Sequence, residues 1–299
     1  MSTSRRIERA LRAAIDATGP GAPPRLTAAL RHAVFPGGGR LRPRLCLAVA
    51  AACGDPLPSL SDAAAVSVEL IHCASLAHDD LPCFDDASTR RGQPALHRAF
   101  DEPLAVLAGD ALIVLAFETL AQAGVAAPER LGRLVSAVAR GVSTPHGIIA
   151  GQAWESEPRI PVITYRRAKT AALFVAAASA GAIAAGADPG PWRAFGERIG
   201  EAYQVADDIQ DVSGDPAAMG KPVGRDASRG RPNAAHDLGV GGSRELLEQL
   251  LQEALGELPP CRRPEEIRGW AVEMMARLLA AGRPGREVGV AKEERAPAA

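Results

Sequence analysis

Apolar residues recur along this chain with the spacing of helices and almost nowhere with that of strands. Stripes at positions three and four apart run through segments 3–18, 22–34, 41–53, 60–80, 101–123, 128–147, 163–187, 190–213, 243–256 and 264–282. No segment sustains the alternation of branched and polar residues that marks a half-buried strand, and no Asn-Gly turn joins two such runs. Helix starts are expected at Ser61 or Asp62, at Thr164, at Asp188 followed by Pro189, and at Ser243 with Glu245 close behind. Gly19-Pro20, Gly54, Gly124, Gly186 and Gly214 supply stops. The pattern predicts an all-α chain of about ten helices.

Two long irregular stretches interrupt it, 87–101 and the Gly- and Pro-rich 213–232. Loops of that length in a compact helical domain usually serve as lids or binding loops. The expected organisation is one helical domain over 1–285 and a flexible tail over 286–299. The most apolar segment, 171–187, is short for a bilayer and poor in Leu and Ile, so it reads as a tightly packed interior helix, and no membrane span is expected.

Composition narrows the function classes. Hydrophobic residues are 47% of the 299 and charged ones 23%, with a formal net charge of −1. A large core is available, and no basic excess points to nucleic acid or an anionic membrane. The five cysteines form no CxxC pair and mostly sit in apolar helical pattern, which fits a reduced, cytoplasmic setting. Lysine occurs only at Lys169, Lys221 and Lys292, so the first two stand out where arginine is the default cation.

The chemistry lies in two acidic clusters, each ending an apolar helix. HDDLPCFDD carries Asp79, Asp80, Asp85 and Asp86, and YQVADDIQD carries Asp207, Asp208 and Asp211. Asp207 and Asp211 are one turn apart on a single face. Converging carboxylates repel unless cations neutralise them, and their hard oxygens suit Mg²⁺ completed by water and substrate phosphate. Arg90, Arg91, Arg42 and the two internal lysines add the complementary groups for a diphosphate, and GGGRLRP (37–43) supplies a flexible turn and helix start beside two arginines. Val66, Leu70, Ala74 and Ala77 form an apolar stripe leading away from Asp79, with Phe117 and Phe174 available to line a pocket. A charged mouth above an oily tube suits a substrate with a diphosphate head and a hydrocarbon tail.

GGGRLRP, LIHCASLAHDDLPCFDDASTRRG, LAGDAL, Gly151-Gln152, Lys169-Thr170, YQVADDIQD and GKPVGRD, in that order, resemble the trans-polyprenyl diphosphate synthases, the farnesyl and geranylgeranyl diphosphate synthase family. The match spans roughly 25–242 and looks most like the bacterial geranylgeranyl diphosphate synthases of carotenoid and phototrophic pathways. The resemblance implies an isoprenoid-synthase helical bundle around a central cavity. It implies a homodimer and a prenyltransferase that joins isopentenyl diphosphate to dimethylallyl, geranyl or farnesyl diphosphate. Asp79, Asp80, Asp85, Asp207, Asp208 and Asp211 would hold Mg²⁺, three ions per site. With Lys169 the first five are the implied catalytic set. Arg90, Lys169, Thr170, Gln204 and Lys221 would bind the allylic diphosphate, with Thr170 and Gln204 near the developing cation. Arg42, His72 and Arg91 would hold isopentenyl diphosphate. Ionisation, attack by the double bond and loss of a proton to the released diphosphate complete the implied reaction.

His72 lies two turns before Asp79 and so shares its face, which favours a ligand role over that of a satisfied core histidine. Arg44 and Arg98 read as structural. Tail length should be set below Asp79, where Ala74 and Ser75 are small and Ile71 and Leu70 form the floor. Relatives that stop at fifteen carbons often carry a bulky aromatic there, so the expected product is geranylgeranyl diphosphate, with a farnesyl diphosphate synthase as the alternative. The chain departs from the family pattern at Gly39, where Lys is usual and Arg40 is the available substitute, and at Gln93, Ala87-Ser88 and Ala206. Gly39 favours a rival reading as a non-catalytic regulatory subunit, and the intact aspartates oppose it. A class I terpene cyclase is opposed by the second motif, which lacks that family's Asn, Ser/Thr and Glu.

Overall fold

A computed structural model describes residues 2–19, 21–213 and 233–281. Lys221, the GKPVGRD motif, nearly all of the 213–232 stretch and the 286–299 tail lie outside the described residues. The described chain is helical apart from one two-stranded ribbon.

The helices follow in chain order: α1 (Thr3–Asp16), α2 (Pro24–Val34), α3 (Leu41–Ala52), α4 (Pro58–Asp79), α5 (Leu96–Ala99), α6 (Glu102–Gly124), α7 (Pro128–Val142), α8 (Ile148–Ala153), α9 (Val162–Arg166), α10 (Ala172–Ala184), α11 (Gly190–Ser213), α12 (Ala234–Gly256) and α13 (Pro264–Ala281). A 3₁₀ turn, Trp154–Ser156, follows α8, and a π turn, Arg167–Ala171, joins α9 to α10. α4 runs through the middle, packed most heavily on α6 and also on α3 and α10. α10 is buried on nearly every side by α3, α4, α7 and α11, and that burial explains its Ala-rich composition, since small side chains let four helices approach one another.

Several boundaries differ from the sequence reading. α4 starts at Pro58, ahead of Ser61 and Asp62. Both of those residues instead bond Arg6 of α1. α6 is capped by Asp101, whose carboxylate accepts from the Leu104 amide at 2.8 Å. Thr164 lies inside α9. Ser243 is a buried interior residue of α12, which is capped by Asn233 and kinks at Gly239. The expected 128–147 helix ends at Val142, where Ser143 turns extended just before Pro145, because proline cannot continue the ladder. Within 87–101 the strands β1 (Thr89–Arg90) and β2 (Gln93–Pro94) pair antiparallel. Arg91 and Gly92 between them both take positive φ, 53° and 75°, the signature of a tight two-residue hairpin turn.

Among the described residues two helices have the length and composition to cross a bilayer. α4 is mostly enclosed by the bundle, whereas α6 leaves much of its apolar surface uncovered.

Candidate active site

A cavity of about 960 Å³ opens between α3, α4, α8, α10 and α11. Asp79 is the last residue of α4. The chain then folds back on itself, with the Asp85 amide donating to the Asp79 carbonyl at 2.9 Å and the Ala87 amide to the Asp80 carbonyl at 3.1 Å. That return brings Asp85 to the same wall as Asp79. On α11, Tyr203, Asp207, Gln210 and Asp211 line the cavity at positions i, i+4, i+7 and i+8, one helical face. The two acidic motifs therefore meet at one cavity, more than 120 residues apart in the chain.

Each motif is divided. Asp79, Asp85, Asp207 and Asp211 line the cavity, and Asp80 and Asp208 do not. Asp80 is buried and gripped by the fork of Arg90, whose Nε lies 3.0 and 3.1 Å from its two oxygens. Asp208 is fully buried and accepts from Arg166 at 3.1 Å, Gln204 at 2.7 Å and the Ala234 amide at 2.7 Å. Burial pushes the Asp208 carboxyl up, and these donors only partly offset it. Asp79 is also raised, first by burial and then by Asp85, against the pull of Lys169 and Arg90. For Arg90 burial acts downward, but its bonds to Asp80 and the charges of Asp80, Asp79 and Asp85 outweigh it, and its value rises.

The basic side is equally ordered. Arg42 is buried with its guanidinium 4.6 Å from the Phe174 ring centre and 5.4 Å from that of Tyr203. Its Nη1 lies 3.3 Å from His72 Nε2. Burial, with Arg42 and Arg91 beside it, holds His72 well below the ordinary histidine value, so the imidazole is neutral. The hairpin turn carries Arg91 to the cavity, where it lies across Gly38. A Cβ on Gly38, which has φ +121°, would stand 2.8 Å from that guanidinium carbon, so this motif position needs glycine.

Lys169 and Thr170 line the cavity from the π turn, a local widening that recurs at functional sites. α8 approaches the turn so closely that a Cβ on Gly151 would lie 2.4 Å from the Lys169 nitrogen. Lys169 Nζ bonds Glu155 and stands 3.8 Å from Asp79 Oδ1. Thr170 donates to Gln204, which does not itself line the cavity.

The apolar lining begins below the acids. Ala74, Ser75 and Ile71 are cavity residues, as expected, joined by Ile113, Val142, Ile148 and Leu173. Leu70, Val66, Ala77, Phe117 and Phe174 are not. Leu70 is fully buried in the core, and Phe174 lies under Arg42. Arg40, the candidate substitute for the missing lysine at Gly39, is committed elsewhere: it pairs with Glu69 at 2.6 Å and Glu8 at 2.8 Å and donates to the Val34 carbonyl. Arg44 pairs with Glu273, and Arg98 with Asp86.

Sequence reading missed Glu155, Tyr165, Glu69 and Tyr203. Glu69 left a signal, a single acid in the apolar run VSVELIH that required a buried cation; Glu155 left none beyond its place after Gly151-Gln152.

The fit of a metal and an anion can be tested on the side chains themselves. Among the described residues no three His, Cys, Asp or Glu side chains form a ready-made metal cage. Asp79 Oδ1, Arg42 Nε and Arg91 Nη1 are buried without a hydrogen-bond partner among the described residues. Orphaned acceptors and donors around one cavity are costly alone, and they are complemented by a cation together with an anion. Mg²⁺, which takes few protein oxygens and keeps water and phosphate ligands, suits a site without a cage.

The chain is 55% identical over 263 residues to a protein of Cereibacter sphaeroides named geranylgeranyl diphosphate synthase, a match covering 87% of this chain and 91% of that one. A Rhodobacter capsulatus protein of the same name is 50% identical over 262 residues, covering 87% and 91%. The crystal structure of a geranyltransferase from Helicobacter pylori, complexed with magnesium and isoprenyl diphosphate, superposes with a TM-score of 0.78 at 30% identity, covering 92% of this chain and 96% of that one. The family profile described as polyprenyl synthetase matches residues 23–261, and the chain belongs to that family.

Proposed function

We propose that the protein is a prenyltransferase that condenses isopentenyl diphosphate with an allylic diphosphate and releases geranylgeranyl diphosphate. The observation that carries this reading is the cavity shared by Asp79, Asp85, Asp207 and Asp211 at its acidic end and by Ile71, Ala74, Ile113, Val142 and Leu173 further in. Ile71 lies eight residues before Asp79 on α4, so the apolar part extends about 12 Å from the acids.

Asp79, Asp85, Asp207 and Asp211 are the proposed Mg²⁺ holders; Asp80 and Asp208, also expected as ligands, are engaged by Arg90 and Arg166. Bound magnesium would neutralise the allylic diphosphate as its bond to carbon breaks. Lys169 and Arg90 supply positive charge to the same group, and Thr170 lines the wall where the cation develops. Arg42 and Arg91 bind the isopentenyl diphosphate head, and neutral His72 donates a hydrogen bond to it. The apolar walls exclude water, which would otherwise trap the cation as an alcohol.

Small Ala74 and Ser75 leave the tail room, and both close relatives named above carry the C20 product in their names. The uncovered apolar surface of α6, with Val106, Leu107 and Val114 exposed, supports a second copy of the chain as its occupant, and light scattering in solution measures that directly. A cytoplasmic location fits the free, separated cysteines.

The test is turnover by purified protein with Mg²⁺, isopentenyl diphosphate and farnesyl diphosphate, read by chromatography. A C20 diphosphate is expected, and Asp79→Ala combined with Asp207→Ala should abolish it while the helical circular dichroism persists. A hydrocarbon product would indicate a cyclase. Absence of turnover by the chain alone would indicate a regulatory subunit.

A further inference from the structure

Lys169 does not stand alone at the cavity wall. Its ammonium bonds Glu155 Oε1, in the 3₁₀ turn after α8. The same oxygen accepts from the Tyr165 hydroxyl at 2.7 Å, and Glu155 Oε2 accepts from Gln152 Nε2 at 3.4 Å. Tyr165 is buried on α9, one turn ahead of Lys169, and its ring centre lies 5.9 Å from the ammonium. Asp79 Oδ1 is 3.8 Å from the ammonium on the other side. The lysine thus lies between a carboxylate of the first acidic motif and a second carboxylate that belongs to no motif.

We infer that Glu155 and Tyr165 are positioning residues that hold Lys169 in reserve and release it to the allylic diphosphate. The physical problem they solve is one of desolvation. If the ammonium leaves Glu155 to meet an arriving diphosphate, it leaves a half-buried carboxylate behind, and a stranded charge of that kind opposes the move. The Tyr165 hydroxyl and the Gln152 amide remain on Glu155 after the ammonium departs and keep both oxygens satisfied. Tyr165 therefore lowers the cost of the handover without touching the substrate.

This inference rests on the proposed function, and its test separates the two. The dissociation constant of a non-ionisable thio-analogue of farnesyl diphosphate is measured by calorimetry, with Mg²⁺ present, for the wild type, Tyr165→Phe, Glu155→Gln and the double variant. KM and kcat are measured beside it. Tyr165→Phe should weaken binding about ten-fold or more, the scale of one hydrogen bond to a charged group, and raise KM more than it lowers kcat. In the Glu155→Gln background, where no carboxylate is stranded, the same Tyr165→Phe change should have no further effect. Equal weakening in both backgrounds, or none in the wild-type background, would overturn the inference. A wild-type protein that neither binds the analogue nor turns over would instead overturn the functional reading.

Discussion

Arg90 and Asp80 form a two-toothed clamp at the end of α4, with Arg90 Nε 3.0 and 3.1 Å from the two Asp80 oxygens and Nη2 closing the second bond. Asp80 is 2% exposed, so the clamp compensates a charge that water cannot reach. Removing one partner of a buried pair costs about 3 kcal/mol or more. Arg90→Ala should therefore lower the urea midpoint as well as activity. Arg91, the next residue in the hairpin turn, has no such duty in the described structure. Arg91→Ala should leave the midpoint nearly unchanged and raise KM for isopentenyl diphosphate about ten-fold or more. Equal midpoint losses for the two variants would contradict this division.

Gly151 is predicted to be intolerant for a reason separate from any chemistry of its own. A methyl group there would press on the backbone nitrogen and Cα of Lys169, at 2.4 and 2.5 Å, where no flexible side chain can yield. Gly151→Ala should displace the π turn and cut kcat/KM about 100-fold, with modest loss of helical signal. Near-normal kinetics would show that the turn is not held by α8.

His72 gives the protein a particular weakness in acid. Burial and the neighbouring arginines lower its value in the folded state, whereas the unfolded chain takes up a proton near pH 6.5. Below that pH the unfolded state gains protons that the folded state refuses, so stability present at pH 7 is lost as pH falls toward the depressed folded value. The slope is at most about 1.4 kcal/mol per pH unit, and less in practice, because one side of the ring opens onto the cavity. Urea midpoints at pH 7 and pH 5 should fall further for wild type than for His72→Gln. The carboxylates contribute to both and cancel in the comparison.

Product length offers a geometric prediction. Ala74→Tyr places a ring in the cavity one turn below the acids, and chromatography should show C15 replacing C20. Ile113→Phe, on the wall supplied by α6, should narrow the deeper part and raise the share of shorter product. Unchanged length in both variants would remove the cavity from this role.

Much of this was legible in the chain itself, because helical periodicity is local and charge clusters are conspicuous. The convergence of Asp79 and Asp207 could be argued only in part, from two acidic clusters that each end an apolar helix and would share a cation if those helices faced each other. What could not be read was the direction each aspartate takes. Asp79 and Asp80 are adjacent and chemically identical, and only the folded-back loop and the hairpin decide that one lines the cavity while the other meets Arg90. The hairpin itself escaped detection because two-residue strands carry no periodicity and its turn uses Arg-Gly rather than Asn-Gly. The partners of Lys169 escaped for a different reason: Glu155 and Tyr165 are set by the packing of α8 against the π turn, a tertiary contact with no local signature.

Arg40 ties together parts of the molecule that look unrelated. It reaches Glu8 in α1 and Glu69 in α4, two residues before Arg42 enters the cavity wall. The amino-terminal helix is thereby mechanically connected to the start of α3, where Leu41 and Arg42 line the cavity. Trimming it to aid crystallisation, or loading it with a rigid fusion partner, would be felt at the cavity wall, and the Arg40 guanidinium is one direct route.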